Sequence, residues 1–129
     1  MTVSFGTLKA DTLTHSTAGS LATNYVVEGS AKVWINFNGT GTIATRDSFN
    51  VTSITDGGTG LYTVTYTNSL GNVNYSTTGA AGENADNGGN RSLGLRARAV
   101  GSQNLRGFRD GVSADDMAEM CIQITGDLA

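Results

Sequence analysis

The sequence predicts an all-β protein: an antiparallel β-sandwich head, jelly-roll-like, of about 7–8 strands, preceded by an extended N-terminal arm. Three observations carry that expectation. Around Lys32 to Thr67 the chain runs AKVWINFNGTGTIATRDSFNVTSITDGGTGLYTVTYT. In it Val33, Ile35 and Phe37 alternate with Lys32, Trp34 and Asn36, and Tyr62, Val64 and Tyr66 alternate with Leu61, Thr63 and Thr65. A period of two marks strands covered on one side. Second, Asn38-Gly39 and Asp56-Gly57-Gly58 separate these runs and tolerate the positive φ of tight antiparallel turns. Third, the composition suits outward-facing polar strands. There are 18 glycines, no proline, abundant Thr, Ser and Asn, and only 15% charged residues. Glycine does not recur at every third position, which excludes collagen.

Taken in order, residues 1–30 space Val3, Phe5, Leu8, Leu13, Leu21 and Tyr25 too widely for a helix or a lasting strand. They read as an extended arm or stem that cannot form a core alone. Val3, Phe5, Leu8 and Leu13 are then its candidate contacts with other subunits. His15 is the only histidine, and its bland role, solvated or hydrogen-bonded, outweighs a shared metal because no second ligand lies near it. The head occupies residues 31–129 and opens with a three-segment meander. In its middle segment Phe49 and Val51 are in phase but Ile54 is not, which predicts a bulge or strand end near Ser53. A strand is expected around Val73 to Thr78. The following AAGENADNGGN is loop chemistry without a large apolar side chain. Ser92 to Val100 reads as a strand with Leu93, Leu95, Ala97 and Ala99 on one face and Arg96 and Arg98 on the other. That pair could hold a carboxylate or an anionic sugar, although salt bridges to Asp110, Asp115 or Asp116 are the commoner use. In GSQNLRGFRDGVSADDMAEM, Leu105, Phe108 and Val112 look like anchors of a long loop, and Ser113 could cap a short helical turn through Met117-Ala118. Met120 to Thr125 alternates as a closing strand.

Large apolar residues are sparse, with one Trp, four Phe and four Tyr in 129 residues. A chain of this size has little margin if it buries its core alone. Burial between subunits would remedy that, and a homotrimer is expected. Trp34, on the polar face of its strand, is either an interface anchor or a sugar-stacking platform. The net charge of −3 lacks the clustered basic face that nucleic-acid binding needs. No apolar run is long enough for a transmembrane helix, so no membrane insertion is expected. Cys121 is the only cysteine and reads as a small buried hydrophobe. Glu83 with Asp86 could join a calcium site, but their spacing does not match the EF-hand loop. Asp115 and Asp116 with Glu119 could bind a cation, although an isolated acidic cluster is usually a solvated helix start. No metal or other cofactor is expected. No nucleophile elbow, phosphate-cradling loop or zinc pattern occurs, so no enzyme activity is expected.

The Lys32 to Thr67 stretch also resembles, over almost its whole length, a module seen near the C-terminus of many tailed-phage fibre proteins. Those follow a pattern close to KAWVNFNGTGT, then RDSFNVSSITD, then G-x-Y-x-V. The likeness covers roughly residues 30 to 79 and fails from GSQNLRGFRDG onward. LKADTLTHSTAG more weakly resembles the extended stretches that precede such heads. The resemblance implies a virion structural protein, a small trimeric tail fibre, tail tip or receptor-binding head. It would be made in the host cytoplasm and carried on the exterior of the tail or head. Its partners would be itself, other virion proteins and a host-surface glycan or protein. The loop and the basic face supply the candidate receptor contacts, Glu83, Asn84, Asp86, Asn87, Asn90, Arg96 and Arg98. A capsid decoration or head-fibre protein gripping the shell by residues 1–30 is the alternative, which the short chain favours. A small polysaccharide depolymerase is a distant third.

Overall fold

The computed structural model of the protein describes residues 10–83 and 90–129. The chain divides into two compact units, Met1–Ser30 and Ala31–Ala129. Val3, Phe5 and Leu8 of the expected arm lie outside the described residues.

Where an extended arm was expected, residues 10–30 fold back on themselves. Strands β1 (Thr12–His15) and β2 (Gly19–Ala22) pair antiparallel with Leu13 opposite Leu21. The turn between them is tied by His15, whose Nδ1 accepts from the amides of Thr17 (3.2 Å) and Ala18 (3.0 Å). Gly19 leaves that turn at φ 91°. A short helix, α1 (Thr23–Gly29), follows, and its first residue bonds back to the carbonyls of Ala10 and Asp11. Strands of four residues and a helix of seven are too short to display a hydrophobic period, which is why the sequence showed none. No described residue of this unit is buried.

The head is all-β and sandwich-like. Its strands are β3 (Ala31–Asn38), β4 (Ala44–Phe49), β5 (Val51–Asp56), β6 (Leu61–Tyr66), β7 (Ser76–Gly82), β8 (Arg91–Ala99), β9 (Ser102–Arg109), β10 (Ser113–Ala114) and β11 (Glu119–Thr125). One antiparallel sheet has the order β4-β3-β11-β7. In the other, β5 pairs β6, β6 pairs β9, and β8 lies along the far side of β9, with β10 extending the sheet beyond the end of β6. The alternating residues meet between the sheets. Val33, Ile35, Phe37, Met120, Ile122 and Ile124 come from the first sheet, and Tyr62, Val64, Tyr66 and Leu105 from the second. Phe37 and Tyr62 pack edge to face across the interface, with ring centroids 5.2 Å apart.

Four expectations are corrected here. The presumed three-strand meander is four strands in two sheets, because the middle segment turns from one sheet to the other at Asn50. That residue adopts φ 57°, and its side chain holds the crossing. Oδ1 accepts from the Asn68 amide (2.7 Å), and Nδ2 donates to the carbonyls of Lys32 (3.0 Å) and Asn68 (3.1 Å). The irregularity expected near Ser53 is present as a register shift between Val51 and Ser53. Second, Ser102–Arg109 is a central strand and no loop. Its inward positions are Gln103, Leu105 and Gly107, so a buried amide and a glycine hid the apolar alternation. Val112, expected to anchor, is 81% exposed. Third, Ser113 begins the two-residue β10 and caps no helical turn. Fourth, the strand expected from Val73 starts at Ser76, and Val73 itself is exposed.

Candidate functional site

Among the described residues, two concave surfaces on the outer faces of the sheets gather candidate residues. On the first sheet the register sets Trp34 between Phe49 and Gln123, with Thr78 beyond. The next row is Asp47, Asn36, Cys121 and Ala80. A groove of ≈ 360 Å³ runs along β11, lined by Trp34 and Gln123 and by the small residues Thr78, Gly79 and Ala80 of β7. Cys121, expected to be buried, lies half-buried in this groove, because its inward-facing neighbours are Met120 and Ile122. Phe49 is largely exposed beside Trp34. The groove is mostly apolar, and Arg46 braces its edge through the Asn36 side chain (3.0 Å) and the carbonyls of Phe37 (3.1 Å) and Ala118 (2.6 Å).

The second surface is made by a bulge in β8. Leu95 pairs with Leu105 and Arg98 with Gln103, so Arg96 and Ala97 together face the single residue Asn104. Two residues opposite one is the defining geometry of a β-bulge. Its exposed carbonyls are satisfied from inside the core. Nε2 of the fully buried Gln103 donates to the carbonyls of Arg96 (3.0 Å), Ala97 (3.4 Å) and Asn104 (2.9 Å). The bulge also separates the two arginines, which the sequence had placed on one face. Arg98 falls into the phase of Gln103, lies over the Tyr75 ring (5.5 Å) and donates to the Tyr75 carbonyl (3.0 Å). Arg96 instead lines a pocket of ≈ 340 Å³ on the outer face, with Gly57, Leu61, Thr63, Ala97 and Asn104.

The salt bridges expected for this pair go elsewhere. Asp115 pairs with Arg109 (2.5 Å). Asp116 accepts from the Gly60 amide (2.7 Å) and lies 3.1 Å from the Tyr62 hydroxyl. That hydroxyl is also 3.0 Å from the Gly39 carbonyl and accepts from the Met117 amide (3.4 Å). Burial, reinforced by the Asp116 charge, raises the Tyr62 pKa well above its ordinary value.

Of the other candidate contacts, Glu83 forms an ion pair with Arg91 at the mouth of the loop. The carbonyl of Asn90 accepts from the Asp110 amide (2.9 Å). Asn84, Asp86 and Asn87 lie outside the described residues. Leu13 is exposed on the N-terminal hairpin. No group of three or more His, Cys, Asp or Glu side chains that could hold a metal ion occurs among the described residues. What sequence reasoning missed is the convergence of Arg96 with Asn104 and Thr63 on one pocket. The signal for it was the polar Gln103 in the phase of Leu105. No protein-family model, curated protein or solved structure matches the chain.

Proposed function

We propose that this chain is a phage virion structural protein that assembles as a homotrimer and presents its β-head to a host surface as a small tail-fibre or tail-tip adhesin. One observation carries the assembly. Among its described residues the N-terminal unit buries nothing, while Leu13, Leu21, Tyr25, Val26 and Val27 are all exposed. An isolated two-stranded hairpin is marginal in water, and so is a helix of this length. Both gain order only by burying those side chains against something else. With Asp11 and Glu28 as the only acidic residues and no Lys or Arg in residues 10–30, copies of the unit repel one another little.

The adhesin reading is supported by the resemblance of Lys32 to Thr67 to fibre heads, since that stretch supplies four consecutive strands around the core. The pairing of the first head strand, β3, with the last, β11, supports a jelly-roll-like roll-up. In the trimer, the apolar groove beside Trp34 and Phe49 is the natural second contact between heads. Antibody-gold labelling of intact particles tests the assignment: label at the tail tip supports it, and label over the whole capsid makes the chain a decoration protein instead.

A further inference from the structure

We infer that the bulge pocket on the outer face of the five-stranded sheet binds a carboxylate-bearing sugar, with Arg96 and Asn104 as its anion-holding pair. Arg96 has no ion pair among the described residues, and no acidic side chain lines the pocket. A guanidinium in this position offers a planar fork that matches a carboxylate with two parallel N–H···O bonds.

Asn104 is oriented to join it. The Thr63 hydroxyl donates to its Oδ1 (3.1 Å), which leaves the two Nδ2 hydrogens as donors beside Arg96. On β9 the next residue on this face is Arg106, whose guanidinium stacks over the Phe108 ring (5.0 Å) and whose Nε is shielded without a partner. It stands opposite Gly94, two residues before Arg96, and adds positive potential along the same edge. One guanidinium and one amide within the pocket balance the single charge of a carboxylate better than the higher charge of a phosphate.

The remainder of the lining suits a sugar ring. Leu61 and Ala97 form a small apolar wall, Thr63 and the backbone at Gly57 supply polar atoms, and ≈ 340 Å³ is the volume of a small ligand cleft. The bulge is what makes the cavity. It splays Arg96 out of the ladder, and the Gln103 amide fixes its backbone from below, so the site is preformed.

The inference rests on the host-recognition reading for its biological meaning, and the test separates the two. Two-dimensional amide NMR of the full chain would be followed during titration with glucuronate, glucose and inorganic phosphate. Expected are shifts at Thr63, Arg96, Ala97 and Asn104 with glucuronate and none with glucose. Arg96→Ala should weaken the response by roughly tenfold or more, the loss of one charged hydrogen-bonded pair. Arg96→Lys, which keeps the charge and loses the fork, should fall between. The unperturbed remainder of each variant's spectrum reports that it is folded. No glucuronate response, an equal response in Arg96→Ala, or a stronger response to phosphate each overturns the inference. Binding of the protein to host cells is read separately. Adhesion that persists undiminished in Arg96→Ala and in excess glucuronate overturns the pocket as receptor site and leaves the adhesin reading standing. A glucuronate response without any cell adhesion upholds the pocket and removes the adhesin reading.

Discussion

Gln103 shows how one residue couples core, strand irregularity and surface. It is fully buried, yet its Nε2 serves two carbonyls of the β8 bulge, Arg96 and Ala97, and that of Asn104 on β9, while its Oε1 has no partner. Replacing it with leucine keeps the volume, relieves the unpaired oxygen and strands the carbonyls. The net cost should be about 1–2 kcal/mol, read as a lower urea midpoint with faster amide exchange from Arg96 to Ala99. Gln103→Glu is nearly isosteric but brings a carboxylate against those carbonyls, so at neutral pH it should be the least stable of the three. The two buried tyrosines make a second prediction. Burial raises the Tyr66 pKa, aided by the neighbouring Tyr75 hydroxyl, and burial likewise raises that of Tyr62. Below pH 10.0, their ordinary value, folded and unfolded chains hold the same protons and nothing is lost. Above it the unfolded chain releases protons that the folded chain keeps, so stability falls by about 1.4 kcal/mol per pH unit per tyrosine. Alkaline titration should therefore show these tyrosinates appearing together with loss of β-sheet circular dichroism, in one cooperative step. Their gradual appearance in a still-folded protein would contradict the packing described here.

At the scale of elements, what was legible in the sequence divides by period. β3, β6 and β11 were revealed by the sequence because their inward rows, Val33/Ile35/Phe37, Tyr62/Val64/Tyr66 and Met120/Ile122/Ile124, are unbroken apolar series. β9 breaks such a series at Gln103 and Gly107, where the inward side chain is an amide or is missing. A Cβ at Gly107 would lie 2.8 Å from Met117 Cγ, so the glycine makes room for a side chain from a later segment, which local reading cannot foresee. The pairing of Arg96 with Arg98 failed for the same reason, since a bulge is specified by the partner strand. Asn50 was a similar case. The sequence showed a phase slip nearby but not that the chain changes sheets there. The crossing gives a graded prediction. Asn50→Gly keeps access to positive φ and loses the side-chain bonds to Lys32 and Asn68. Asn50→Ala loses both, and should cost about 1 kcal/mol more than the glycine variant. Equal urea midpoints would mean that backbone conformation contributes nothing to the crossing.

For the whole molecule, the two units stand on different footings. Every core residue among the described residues belongs to Ala31–Ala129, so the head has a core of its own. Among its described residues the N-terminal unit carries apolar surface and none that is buried. Removing residues 1–30 should then leave the urea midpoint of the head within about 0.5 kcal/mol of the full chain, the range of changes remote from a core. If the proposed homotrimer assembles through this unit, the same removal should shift the mass measured by light scattering from three chains to one. A full-length double variant, Leu13→Asp with Leu21→Asp, puts like charges face to face across the hairpin and should release the trimer without touching the head. If either form remains trimeric, assembly belongs to the head, and the exposed Phe49 and Trp34 beside the β11 groove become the contact to mutate. If the full chain is itself monomeric at micromolar concentration, the proposed homotrimer fails, and the exposed leucines and valines of the hairpin and helix await a different partner.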